Sequence, residues 1–234
     1  MRYSRLDNES LSILFAVFLL VAFGCGGQKV NVKELLRRPI EETGRFHQSK
    51  KYIKNGMTVV YLTGTPYDIG FAHGKLCKKE IRNLYRYYWD AYDKLEYTRD
   101  GKWLPLSRSL ERYIPQEFIT EMKGIADGSG VEYDKILFLN TLVTISEHSK
   151  CFAFSVKQPE SKIITVRQID ISYRIPLWKK MTLYIIKPQK GYGFAALLNP
   201  GWVSGETGMN EKGITVSENN ISIQQTRWDV MPID

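Results

Sequence analysis

Cys151 opens the stretch with the clearest chemistry in the chain, CFAFSVKQPESKIITVRQID, which closes on Arg167-x-x-Asp170. A free thiol ionises near pH 8.5, so only a few per cent is thiolate at neutrality. A nucleophilic cysteine therefore needs a base or a positive neighbour. The chain holds 3 histidines, His47, His73 and His148, and they form no Cys-His-Asn arrangement of evident order. The plain alternatives are a cysteine packed as a small hydrophobe and an Arg167–Asp170 surface pair worth about 0–1 kcal/mol.

The element that must position these groups reads as a β-hairpin. CFAFSV alternates small and bulky residues, KQPESK supplies a turn, and IITVRQID resumes the β-branched pattern. Period-two geometry sets Cys151, Ala153 and Ser155 on one face and Phe152, Phe154 and Val156 on the other. The bulky face is expected to bury in a core, and the small face to leave room beside the sulfur. Residues three apart on a straight strand face opposite ways, so Arg167 and Asp170 reach Cys151 together only where the strand bends or ends.

Further motifs follow and precede the hairpin. GMNEKGITVSENN lies downstream, and GTPYDIGFAHGKL and MKGIADGSGVEYDKILFLN lie upstream. A strand-initial Cys, R-x-x-D, and G-M-N-E-x-G before an Asn-ending strand resemble the cysteine N-terminal-nucleophile (Ntn) hydrolases. Among them the chain is most similar to the acyl-coenzyme A:6-aminopenicillanic acid acyltransferase-like family, relatives of bile salt hydrolases and penicillin V acylases. The resemblance runs from Thr63 to Trp228. It departs in carrying RQID where relatives have R-N-x-D, and Lys150 where a small residue precedes the nucleophile.

The resemblance implies an α+β fold, an αββα sandwich with a helical leading segment, incomplete here at its C-terminus because relatives continue further. It also implies cleavage of the Lys150–Cys151 bond, after which the new α-amine, of pKa roughly 7.7–8.0, serves as general base to its own thiol. Arg167 would then sit near the thiolate, Asp170 would hold the new ammonium, and Asn220 would donate to the oxyanion. Asn210 reads better as a turn residue than as a catalytic one. The substrate expected is a small acyl amide, hydrolysed or used for acyl transfer, with no cofactor and no metal.

The rest of the chain supplies anchors and framework. A formal net charge of +8 is spread over scattered Lys and Arg with no nucleic-acid motif, so no nucleic-acid partner is expected. With 43% hydrophobic and 25% charged residues the chain is ordinary for a globular protein. Residues 1–25 read as a signal segment: Arg2 and Arg5 precede the apolar LSILFAVFLLVAFG, which ends at Gly24-Cys25. That pattern suggests a bacterial lipoprotein lipidated at Cys25 and held at the envelope membrane; ordinary signal cleavage and an uncleaved anchor are the alternatives.

Residues 26–55 read as a polar tether, 56–150 as the helical leading segment, and 151–234 as the start of the Ntn domain. A T-x-x-D capping pattern with Pro66 starts a long helix from Thr65. Gly70 and Gly74 along it predict a close-passing backbone. His73 reads as structural and Cys77 as packing. Pro115 opens a second helix stopped by Gly128, and Glu132 to Leu142 a third. MTLYIIKP, GYGFAALLNP and GITVSENN read as strands. Beside the enzyme stand two other readings: a truncated, inactive relative serving as an envelope lipoprotein or binding module, and a peripheral lipid-surface protein using basic charge and tyrosines.

Overall fold

A computed structural model of the chain describes residues 40–94, 103–146, 150–157, 163–170 and 181–219; for 90–94, 143–146, 150, 169 and 170 it describes the backbone alone. Nine strands and five helices lie within those residues. Strands β1 (Glu41–Phe46), β2 (Ser49–Lys54) and β3 (Met57–Gly64) come first. Helices α1 (Pro66–Leu76), α2 (Lys78–Lys94), α3 (Trp103–Glu111), α4 (Gln116–Ser129) and α5 (Tyr133–Ser146) follow. The chain then makes β4 (Lys150–Lys157), β5 (Ile163–Asp170), β6 (Thr182–Pro188), β7 (Phe194–Leu198), β8 (Thr207–Asn210) and β9 (Thr215–Ser217).

The architecture is mixed α+β, compatible with an α/β sandwich. One sheet runs β1-β2-β3-β6-β7-β8-β9, and β4-β5 form a separate two-stranded sheet. Neighbours pair antiparallel except β3 with β6, which run parallel. Period-two alternation divides the large sheet into two faces. Val60, Leu62, Tyr184, Ile186, Ala196 and Leu198 pack with Ile69, Ile81, Ile125 and Leu137 from the helices. Val59, Leu183 and Ala195 form a second cluster on the other face.

The hairpin lies over that second face. Thr207 pairs with Leu197, and Thr215 with Met209, which itself pairs with Ala195. Thr165 Oγ1 comes 3.5 Å from Thr215 Oγ1, and Arg167 reaches Thr207 and Glu206. The layers in order are therefore helices, large sheet, hairpin.

Local chemistry explains the helices. Thr65 Oγ1 accepts from Asp68 N–H at 3.2 Å while Asp68 Oδ2 accepts from Thr65 N–H at 3.0 Å, a complete capping box. The long helix expected from Thr65 breaks at Cys77. There Lys51 Nζ donates to the Leu76 carbonyl at 3.1 Å. Helix α4 runs one residue past Gly128 and is capped by Gly130, which is left-handed at φ +67. The short α3, with Pro105 in its first turn where the missing N–H costs nothing, had no counterpart in the sequence reading.

Glycines let α1 and α4 touch backbone to backbone. A Cβ on Gly70 would lie 2.0 Å from the Glu121 carbonyl oxygen, and one on Gly128 2.2 Å from that of Phe71. The close approach expected from Gly70 and Gly74 is present, and Gly124 and Gly128 complete it from the facing helix.

Two expectations are corrected. Residues 41–54 do not act as a tether: they form β1 and β2 at one edge of the large sheet. The sheet also joins β3 to β6, so Cys151 marks no division of the fold. Second, the bulky face of the hairpin is outward. Phe152, Phe154 and Val156 are each 47% exposed, whereas Arg167 is buried. The small face turns inward because its long partner, Arg167, fills the space between the sheets and finds its polar partners there.

Candidate functional site around Cys151 and Arg167

Hairpin register brings Cys151 and Arg167 together. Cys151 pairs with Ile169 and Ala153 with Arg167, without a shift along the whole ladder. Arg167 is thus the diagonal neighbour of Cys151 on the same face, a separation that a long side chain spans. Ala153, directly opposite, is small enough to let the guanidinium pass. Its Nη2 donates to Cys151 Sγ at 3.3 Å.

The other guanidinium donors are taken by the large sheet. Nε donates to the Glu218 carbonyl at 2.6 Å, and Nη1 donates to Glu206 Oε2 at 2.6 Å and to Thr207 Oγ1 at 3.4 Å. The Arg167 side chain is 3% exposed and that of Glu206 17%. A buried guanidinium is tolerable only when paired and hydrogen-bonded, and this one is. Burial and then the Glu206 carboxylate raise the Glu218 carboxyl above its ordinary value, against the opposing pull of Arg167. The cluster holds one cation and two carboxyl groups beside one thiol.

The loop carrying Glu206 is itself pinned from the helical layer. His73 Nε2 accepts from Gly201 N–H at 3.0 Å and lies 2.8 Å from the Tyr184 hydroxyl. Asn140 Nδ2 donates to the Gly201 carbonyl at 2.8 Å, and its Oδ1 accepts from Val203 N–H at 2.8 Å. Complete burial lowers His73 to about 3, so the ring is neutral. Burial also pushes the Cys77 thiol up to about 11, which leaves it inert at neutral pH. Both residues serve the framework, as their sequence context suggested. His47 stands in the exposed β1–β2 turn.

The remaining expected residues divide. The Asp170 backbone pairs with that of Lys150, one residue before the thiol, but its side chain lies outside the description. The register runs to Asp170 without the bend considered above. Asn220, Cys25 and His148 lie outside the described residues. Asn210 is a turn residue: its Oδ1 accepts from Lys212 N–H and Ile214 N–H, each at 3.0 Å. Among the described residues no cluster of His, Cys, Asp or Glu is arranged to hold a metal. No helix among them is long and apolar enough to cross a membrane.

Glu206 was not singled out from the sequence. It lies in SGETG, where no periodicity marks it. The one available signal was a demand: an arginine on an inward strand face must meet a carboxylate somewhere.

No protein-family model matches the chain. It is 28% identical to Protein dcd1A of Dictyostelium discoideum, over 67% of this chain and 43% of that protein. It is 24% identical to the beta-alanyl-dopamine/carcinine hydrolase of Drosophila melanogaster, over 76% of this chain and 52% of that protein. An uncharacterized protein of Archaeoglobus fulgidus is 25% identical over 92% of this chain and 40% of its own length. The chain spans about two fifths to one half of the length of these curated relatives. It is a distant homologue of the carcinine hydrolase and of the dcd1 proteins.

Proposed function

We propose that this chain carries the nucleophile of a cysteine N-terminal-nucleophile enzyme that hydrolyses linear amide bonds or transfers their acyl group. The observation that carries the reading is the 3.3 Å approach of a buried, ion-paired arginine to a strand-borne thiol. A guanidinium donor favours the charged sulfur over the neutral one. The distant kinship with a protein named as a carcinine hydrolase supports the amide as substrate.

In this reading Cys151 Sγ attacks the amide carbonyl carbon, the C–N bond breaks, and the amine leaves with a proton delivered by the α-ammonium of Cys151. Water, deprotonated by the same amine, then cleaves the thioester to free acid and thiol. The amine exists only after the Lys150–Cys151 bond is cut, by attack of the thiol on the Lys150 carbonyl and hydrolysis of the resulting thioester. The backbone of Asp170 faces Lys150 across the hairpin, and its carboxylate is proposed to hold the new ammonium. Asn220 is proposed as oxyanion donor; loss of one such donor costs about 10²- to 10³-fold in rate.

Mass spectrometry of the purified protein tests maturation: a chain beginning at Cys151 is expected, and Cys151→Ala should abolish both it and the hydrolysis of carcinine and simple N-acyl amides. A folded chain that stays intact at Lys150–Cys151 yet hydrolyses amides would overturn the Ntn mechanism. Envelope placement through lipidated Cys25 is part of the same proposal. Cys25→Ala should shift the protein from the membrane to the soluble fraction, and unchanged fractionation would sink it.

A further inference from the structure

We propose that Glu206 is a positioning residue for the thiol: it fixes Arg167 so that Nη2 points at Cys151 Sγ. The proposal rests on the reading of Cys151 as nucleophile but is tested apart from it. A guanidinium is planar and rigid, so two anchored donors determine where the third points. Nε is anchored on the Glu218 carbonyl and Nη1 on Glu206 Oε2, both at 2.6 Å, which leaves Nη2 directed at the sulfur at 3.3 Å. Thr207 Oγ1, at 3.4 Å from Nη1, is too distant to hold that end alone.

A bystander counter-ion would not need this arrangement. Glu206 sits where the loop pinned by His73 and Asn140 enters β8, so its carboxylate is located by the helical layer rather than by the hairpin. Hairpin and sheet are separate ladders, and the Glu206–Arg167 pair is one of the side-chain links between them. The aim of the arginine is therefore set from outside the strand that bears it. Charge and aim make different predictions, and two conservative changes separate them. Glu206→Asp keeps the charge but draws the carboxylate back by one methylene. Glu206→Gln loses the charge but keeps an oxygen at the same reach.

The experiment is iodoacetamide alkylation of the full chain across pH, with modification read at the Cys151 peptide by mass spectrometry. For Glu206→Asp, alkylation at pH 7 is expected to slow about tenfold and the pH profile to move upward, the lower end of what loss of an opposed charge produces. Glu206→Gln should alkylate at least as fast as the parent, with no upward move. In an Arg167→Gln background Glu206→Asp should have no further effect, because Glu206 acts through the guanidinium. An unchanged profile in Glu206→Asp overturns the proposal, as does an upward shift in Glu206→Gln or an effect that survives in Arg167→Gln. None of these readouts needs an amide substrate, so failure here leaves the hydrolase reading standing, and failure to find hydrolysis leaves this one standing.

Discussion

His73 shows how one buried side chain ties the framework to pH. Its ring is held neutral, with a value lowered to about 3, first by burial and then by Lys51. An unfolded histidine titrates near 6.5, so between those values the unfolded chain binds a proton that the native chain refuses. Stability from this group is thus present above about pH 6.5 and is lost as pH falls toward 3, by up to about 1.4 kcal/mol per unit. His73→Gln, which keeps an acceptor for Gly201 N–H, should flatten the fall in urea-derived stability between pH 6 and pH 4 by about that slope. Equal slopes in parent and variant would exclude His73 as the titrating group.

At the scale of elements, the α1–α4 contact inverts the ordinary rule for helical glycine. Gly→Ala inside an exposed helix gains roughly 1 kcal/mol. At Gly70 and Gly124 the new Cβ would meet carbonyl oxygens of Glu121 and Tyr67 at 2.0 and 2.4 Å, so the helices must part. Either substitution is expected to cost about 2–4 kcal/mol by urea denaturation. Once parted, the helices accept the second methyl more cheaply, so the double variant should cost less than the sum. This contact was half legible in the chain, because Gly70 and Gly74 are spaced one turn apart, but nothing named α4 as the partner. The capping box and the hairpin were legible for the same reason: each depends on residues near in sequence. The nearness of Arg167 to Cys151 was expected from the family resemblance, because the hairpin register that sets it cannot be read from periodicity. Glu206, the outward turn of Phe152 and Phe154, and the recruitment of residues 41–54 into the sheet were not legible. Those depend on which sheet face the hairpin meets, a fact that periodicity does not carry.

Across the molecule, the hairpin presents an apolar exterior. Phe152 and Phe154 stack with ring centroids 6.0 Å apart, and Val156 and Ile163 are exposed beside them at 47% and 65%. Contiguous apolar surface of this kind drives association. The double change Phe152→Ser with Phe154→Ser should reduce concentration-dependent self-association in sedimentation while moving stability by only about 0.5 kcal/mol. Self-association that persists unchanged would place the sticky surface elsewhere. The parallel pairing of β3 with β6 has a further consequence, in time rather than space. Val59 meets Leu183 and Gly64 meets Pro188 only after five helices and a hairpin have been threaded between them. Loop-closure entropy makes such a contact slow, whereas the hairpin closes locally. The expected order, readable by pulsed hydrogen exchange, is early protection in β4–β5 and the helices and late protection in β6–β9. Thiol and arginine are neighbours from the first, but Glu206 and the Glu218 carbonyl arrive last. Topology here acts as a checkpoint: the arginine's contacts with Glu206 and the Glu218 carbonyl close only once the large sheet is assembled, so in the reading proposed above a nascent or misfolded chain carries its cysteine unarmed.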